Sequence, residues 1–339
     1  MKKKVRGMFC VALTLIFVVS TVLSGCKSRG TGGGTGTYVL KVGHVCSTDH
    51  PYQLGLEKLS ELLEEKSDGR LKLEVYPASQ LGNESDLVEG LQLGTVDMAL
   101  TATAPLVNFS DSLTVLDFPY LFESKEHAFN VLDGEIGAQM FEELEASAGI
   151  IGLAYFDNGY MFIHNSEKSL YTPDDLEGLK IRTMENQLHI ECINAAGGTA
   201  TPMAFSEVYT SLQNGTIQGS VNSLAAMYYN GIYEVGKYLS YTNHIYATAP
   251  LMISSKAYNN LPEDLQEILR ECSAEARDFE REEVEKSEAE LEEVMTKEGC
   301  VFNEVDTQVW KEAIYDDVYE KFVPSLIEAE LIEQIEALK

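Results

Sequence analysis

Positive charge is scarce in this chain. Its 339 residues carry 25 lysines and arginines against 54 aspartates and glutamates, a formal net charge of −29. Phosphate recognition needs a basic face, so this balance excludes nucleic acid as a partner. It also disfavours adhesion to anionic lipid headgroups. Catalytic signatures are missing as well. The histidines at positions 44, 50, 127, 164, 189 and 244 show no HExxH or similar metal spacing, and neither a GxSxG elbow nor a Walker glycine loop occurs. GLQLG and NAAGG are glycine turns without the GxGxxG order of a dinucleotide site. Carboxylate pairs carry little information in a chain this acidic. The expectation is a protein that is not an enzyme and holds no cofactor or metal.

There is one tryptophan, Trp310, and no CxxC pair among six cysteines, which argues against a zinc knuckle or a dithiol redox motif. Cys46, Cys192, Cys272 and Cys300 are widely spaced and read as buried free thiols; disulfides are permitted outside the cytoplasm, but spacing cannot pair them.

What is present begins with Lys2, Lys3, Lys4 and Arg6 followed by an apolar run from Met8 to Leu23, the layout of an export signal. The run ends in LSGC and so resembles the lipobox of bacterial lipoproteins, which makes residues 1–25 a signal peptide and Cys26 the lipidated N-terminus. An uncleaved membrane anchor is the alternative, because the run is near the lower limit for a spanning helix. Residues 26–37, rich in glycine, read as a flexible tether. Either way the protein is expected outside the cytoplasm, held to a membrane.

Apolar content of 45% and charged content of 23% are ordinary for a globular protein. The length exceeds what one core usually supports, so two lobes are expected. Tyr38 to Val45 alternates as a strand, Gln53 to Lys66 has leucines at helical spacing, LKLEVYP is a second strand, and a helix with Leu87, Val88 and Leu91 leads to a third. That order predicts a parallel sheet with helices on its faces, whose ligand crevice lies beyond the strands' carboxyl ends. His44 to Ser47, including Cys46, and Thr101 to Ala104 fall there.

Further on, Glu126 to Ala146 reads as one helix, and Ile150 to Phe156 and Tyr160 to His164 as two strands around a DNG turn. TPDDLEGLKIR is a turn capped by Thr172, leading to a strand that carries Arg182. Phe205 to Asn214 is a capped helix, and a strand ends at Asn222. An amphipathic helix spans Pro262 to Lys297, CVFNEVD is a last strand, and Thr307 to Lys339 supplies terminal helices. Arg182 and Asn222 both sit at strand ends of one αβ unit, which places their side chains together. Arginine suits a carboxylate because its planar fork gives two parallel, charge-assisted hydrogen bonds at any physiological pH.

YPASQLGNESDLVEGLQLGTVDMAL, DFPYLF, TPDDLEGLKIR, TPMAFSEVYTSLQNG and YEVGKYLSYTNH together resemble, in order, the DctP-type substrate-binding proteins of tripartite ATP-independent periplasmic (TRAP) transporters, over roughly residues 38 to 300. The resemblance implies an α/β, two-lobed, periplasmic-binding-protein-like fold with a hinge and a cleft between the lobes. Residues 38–159 plus 248–287 would form lobe I, and residues 160–247 plus 288–339 lobe II. It implies a receptor that closes over a small organic acid and hands it to a permease of a small and a large membrane subunit, driven by an ion gradient. A ligand-presenting extracellular sensor is the alternative. By position in the family, Arg182 salt-bridges the carboxylate, Asn222 contacts the ligand, Phe205 lines the cleft and Glu84 meets polar ligand groups. Met161 stands near a place where many members carry an arginine, with Tyr160 beside it. Gln218 and Val221 replace an aspartate and a glutamate of the usual block. These departures imply a less polar pocket.

Overall fold

In this computed structural model residues 36–323 and 325–339 are described. The sequence expectations for residues 1–25, the tether up to Thr35 and lipidation at Cys26 lie outside them. The strands are β1 (Tyr38–Gly43), β2 (Leu71–Tyr76), β3 (Met98–Leu100), β4 (Ile150–Asn165), β5 (Lys180–Thr183), β6 (Thr199–Pro202), β7 (Gly219–Asn222), β8 (Tyr238–Ser254) and β9 (Val301–Glu304). The helices are α1 (Pro51–Lys66), α2 (Glu84–Leu93), α3 (Lys125–Leu132), α4 (Glu135–Ala148), α5 (Gln187–Ala195), α6 (Val208–Gln213), α7 (Leu224–Tyr229), α8 (Ser255–Asn259), α9 (Glu263–Lys297), α10 (Thr307–Phe322) and α11 (Ala329–Glu336).

The strands form one sheet in the order β2-β1-β3-β8-β4-β7-β5-β6, with β9 beside β8. The expected parallel βαβ arrangement holds within each half: β1 pairs in parallel with β2 and β3, and β5 with β6 and β7. The sheet as a whole is mixed, because β4 and β8 run antiparallel to each other and join the two halves. This is the α/β architecture the sequence leads one to expect, with the long strands as the link.

Two local expectations fail at glycines, one read as the end of an element that continues and one read through where an element ends. Asp157 to Gly159 is not a turn between two strands. β4 runs through it and stays paired with β8, with the register shifting between Asp157 and Gly159. The segment is a bulge in which Gly159, at φ +89°, donates its N–H to Asp157 Oδ1 at 2.7 Å. The long helix expected from Glu126 to Ala146 is instead α3 and α4, separated at Asp133 and Gly134. The turn is so tight that a side chain at Gly137 would sit 2.0 Å from the Leu132 carbonyl. The helix expected from Phe205 to Asn214 begins as a 3-10 turn, Phe205–Glu207, before α6.

The stripe expected on α9 is buried at Leu265, Leu269, Cys272 and Ala276 and half-buried at Ile268. At its other end Leu291 and Met295 enter a separate cluster with Phe162, Leu224, Met227 and Leu239. One helix therefore serves two apolar cores. A helix of this length spans about 52 Å at 1.5 Å per residue. Trp310 is fully buried, and Cys46, Cys192, Cys272 and Cys300 are buried free thiols.

The start of α1 depends on an uncommon cap. His50 occupies the N-cap, its Nδ1 accepts the Tyr52 N–H at 3.2 Å, and Pro51 fills the first helical position. The imidazole also meets the Tyr52 ring edge-on, with centroids 4.6 Å apart. Burial, with a smaller repulsion from His44, lowers the His50 pKa to about 3. The unfolded chain, with an ordinary histidine near 6.5, binds more protons between about pH 6.5 and 3. Stability conferred here is therefore complete above 6.5 and lost as the pH falls through that window. His50→Asn keeps a cap oxygen but removes the titration. Urea denaturation at a series of pH values should show wild type losing stability relative to the variant by about 1.4 kcal/mol per pH unit within the window. Parallel curves would show that His50 is not held neutral.

Candidate functional site

Arg182 lies in β5 and is 1% exposed. Its Nε donates to the Met203 carbonyl at 3.0 Å, and its guanidinium sits 5.9 Å from the centroid of the Phe205 ring. Nη1 is buried with no hydrogen-bond partner among the described residues. Burial lowers the Arg182 pKa to about 10, opposed by the negative charges of Glu84, Glu185 and Glu207. The side chain is thus cationic at physiological pH, and part of its fork faces open space.

That space is a narrow cavity of about 30 Å³ between the ends of the two parallel sheet halves. It is lined by Arg182 together with Val45, Cys46, Tyr52, Glu84, Ala102, Asn158, Met161, Met184, Phe205, Asn222 and Ala226. Six residues singled out in the sequence come together here: Arg182, Asn222, Phe205, Glu84, Met161 and Cys46. Two do not. Tyr160 points to the opposite face of β4 from its neighbour Met161, as successive strand residues must. It packs edge-on against Tyr246 at 5.0 Å and borders a surface recess with Tyr120 and Lys311. Thr101 is fully buried, and its hydroxyl donates to the Ala102 carbonyl at 3.1 Å; Ala102 takes the cavity wall instead.

Each wall is positioned by a local device. Asn83 and Asp86 form a capping box at the start of α2, fixing Glu84 in its first turn. Glu84 Oε1 accepts the Ala102 N–H at 2.9 Å, bridging the end of β3. Burial raises the Glu84 pKa, while the Ala102 N–H and Arg182 oppose the rise. Asn222 ends β7; its Nδ2 donates to Ser220 Oγ at 2.9 Å and faces His164 Nε2 at 3.0 Å. The β4 bulge turns Asn158 to the cavity, where its Oδ1 accepts from Ser223 Oγ at 3.3 Å. Beside the cavity, the Ser47 N–H donates to Asn230 Oδ1 at 3.0 Å, and Asn108 Nδ2 donates to the Glu185 carbonyl at 3.0 Å.

Tyr52, Asn158, Met184 and Ala226 were missed as lining residues. Met184 lies two positions from Arg182, a spacing that shares a strand face and so was available as a signal. Asn158 was hidden by reading DNG as a turn. Tyr52 follows the proline that starts α1, and nothing in its spacing marks it. Ala226 belongs to α7, a helix too short to show periodicity. Among the described residues no group of three or more His, Cys, Asp or Glu side chains is arranged to hold a metal ion.

The arrangement, one buried cation with an uncommitted donor amid largely apolar walls, is suited to holding a small anion. Comparison with known proteins identifies the family. Residues 42–324 match the DctP family, described as bacterial extracellular solute-binding protein, family 7. A solute-binding protein of Roseobacter denitrificans is 36% identical over 279 residues, covering 82% of this chain and 85% of its own length. A TRAP periplasmic solute-binding protein of a Polaromonas species, solved bound to D-erythronate, is 34% identical with a TM-score of 0.86, covering 89% of this chain and 99% of the other. Another from a Sulfitobacter species, with bound β-D-galacturonate, is 31% identical with a TM-score of 0.84, over 89% and 99%. The extent of the match, the shared two-lobed fold and the cavity at the junction of its sheet halves lead to one conclusion: this chain belongs to the DctP family of TRAP-type extracellular solute-binding proteins.

Proposed function

We propose that this protein is an extracytoplasmic receptor that captures a small organic acid by its carboxylate and delivers it to a TRAP-type membrane permease. The observation that carries this reading is the buried Arg182 with its unpartnered Nη1 in the cavity. A carboxylate supplies the charge and the acceptor atoms that this nitrogen lacks. Phe205 covers the guanidinium, Asn222 and Glu84 meet the ligand's polar groups, and Met161 and Cys46 give it apolar contact. The relatives bound to D-erythronate and β-D-galacturonate hold carboxylate compounds on the same fold.

Capture proceeds by closure of lobe I (38–159 plus 248–287) on lobe II (160–247 plus 288–339). Three features support these boundaries: β4 and β8 link the two sheet halves, α9 divides its apolar side chains between two cores, and the Ser47–Asn230 and Asn108–Glu185 hydrogen bonds join the halves beside the cavity. A ligand touching both lobes favours the closed form by its differential affinity. No described helix is long and apolar enough to cross a membrane, and the proposed attachment is a lipid on Cys26, after cleavage of residues 1–25.

Arg182→Ala should weaken carboxylate binding by at least about tenfold in calorimetry, given charge-assisted hydrogen bonds worth about 1.5–3 kcal/mol. The variant should still unfold cooperatively in urea, which separates lost binding from lost folding; wild-type affinity in the variant would falsify the anchor. Small-angle scattering should record a smaller radius of gyration once the organic acid is added, and an unchanged radius at saturation would overturn hinge closure. Mass spectrometry of the membrane fraction should find the mature chain starting at a lipid-modified Cys26, and an unprocessed Met1 terminus would refute it.

A further inference from the structure

The polar groups facing the cavity differ in what they have left to give, and this difference narrows the ligand. Among the lining residues Arg182 is the only cation, and Glu84 contributes negative charge. A ligand with two carboxylates would place its second one in a space with no second cation and with Glu84 at the wall, an uncompensated buried charge. Val45, Cys46, Met161, Met184 and Ala226 supply apolar surface, which suits an alkyl body.

One further group stands out. Tyr52 lines the cavity, is 3% exposed, and its hydroxyl has no hydrogen-bond partner among the described residues. Burial, together with the negative field of Glu280, Glu84 and Asp157, raises its pKa far above the usual tyrosine range, so it stays a donor. Its backbone is pinned by the His50 cap and its ring by the His50 imidazole. A donor held this firmly without an acceptor is a constraint on what enters.

Resting on the carboxylate-anchor reading of Arg182, we propose that the site selects a short, branched aliphatic monocarboxylate bearing one hydroxyl or oxo oxygen, which Tyr52 recognises. Arg182 holds the carboxylate, the methionines and Val45 enclose the alkyl branch, and the Tyr52 hydroxyl donates to the single remaining oxygen. Dicarboxylates and polyhydroxylated sugar acids are disfavoured by the missing cation and by the apolar wall.

The test is calorimetric titration of wild type, Tyr52→Phe and Arg182→Ala with 2-hydroxy-3-methylbutyrate, 3-methylbutyrate, succinate and galacturonate. Wild type should bind the hydroxy acid most tightly. Tyr52→Phe should lose about three- to tenfold in affinity for the hydroxy acid, as expected for one neutral hydrogen bond, while its affinity for 3-methylbutyrate stays unchanged. Because the hydroxyl has no protein partner, the variant should fold with an unaltered melting curve. Tighter wild-type binding of succinate or galacturonate, an equal effect of Tyr52→Phe on both branched acids, or no binding of any of the four overturns the proposal. The underlying carboxylate reading fails separately, by Arg182→Ala binding as well as wild type whichever acid is used. Arg182-dependent binding of succinate or galacturonate would leave that reading standing and remove only the narrower class.

Discussion

A guanidinium buried to 1% exposure is the constraint on which the rest of this site depends. Desolvation alone would drive such a group toward neutrality, and its pKa does fall to about 10. What keeps it charged is a set of carboxylates, Glu84, Glu185 and Glu207, that act through space and do not form a contact pair with it. The distinction matters for function. A direct ion pair would satisfy the fork and oblige any ligand to displace a bound carboxylate. Acting at a distance, the acids hold the charge and leave Nη1 free, so the cation is preserved and the donor is not consumed. The Met203 carbonyl and the Phe205 ring fix the plane of the side chain, so a ligand finds the donor already oriented.

That arrangement makes demands on the fold. Arg182 comes from β5, Asn222 from the adjacent β7, Glu84 from the first turn of α2, and Asn158 and Met161 from the long β4. These elements meet only because β4 and β8 carry the sheet from one half to the other. The bulge at Asp157–Gly159 interrupts the strict alternation of side chains, allowing β4 to present both Asn158 and Met161 to the same space while continuing to pair with β8. A turn at this point, as the DNG triplet suggested, would have ended the strand and with it the connection.

The parts legible in the sequence were those encoded by local pattern. Alternation and helical spacing located β1, α1, β2, α2 and the apolar stripe of α9, because periodicity survives without tertiary information. The family blocks located Arg182, Asn222, Phe205 and Glu84, which the structure gathers around one cavity. Glycine was the recurrent source of error, since the same residue ends an element at Gly134 and bends a continuing strand at Gly159. At Gly159 it is the pairing with β8 that carries the strand through. Tyr160 and Thr101 were misplaced by one residue of strand alternation, the smallest error that reverses a side chain's face. Tyr52 was invisible because its significance lies in a hydroxyl without a partner, and partners are a property of the folded chain.

Behind Asn222 lies a buried histidine that does not line the cavity. His164, fully buried, faces Asn222 with Nε2, and desolvation together with the charge of Arg182 lowers its pKa to about 3. With the Asn222 amide nitrogen at 3.0 Å, Nε2 is the acceptor, which puts the imidazole proton on Nδ1. Nδ1 is in turn packed so closely against Gly236 that a Cβ there would lie 2.6 Å away. A protonated His164 would bring a second positive charge behind Asn222. Held neutral, it orients the amide and leaves Arg182 as the single cation. The cavity wall thus carries one positive charge, on Arg182, while burial, helped by the field of that charge, keeps the histidine beneath Asn222 neutral.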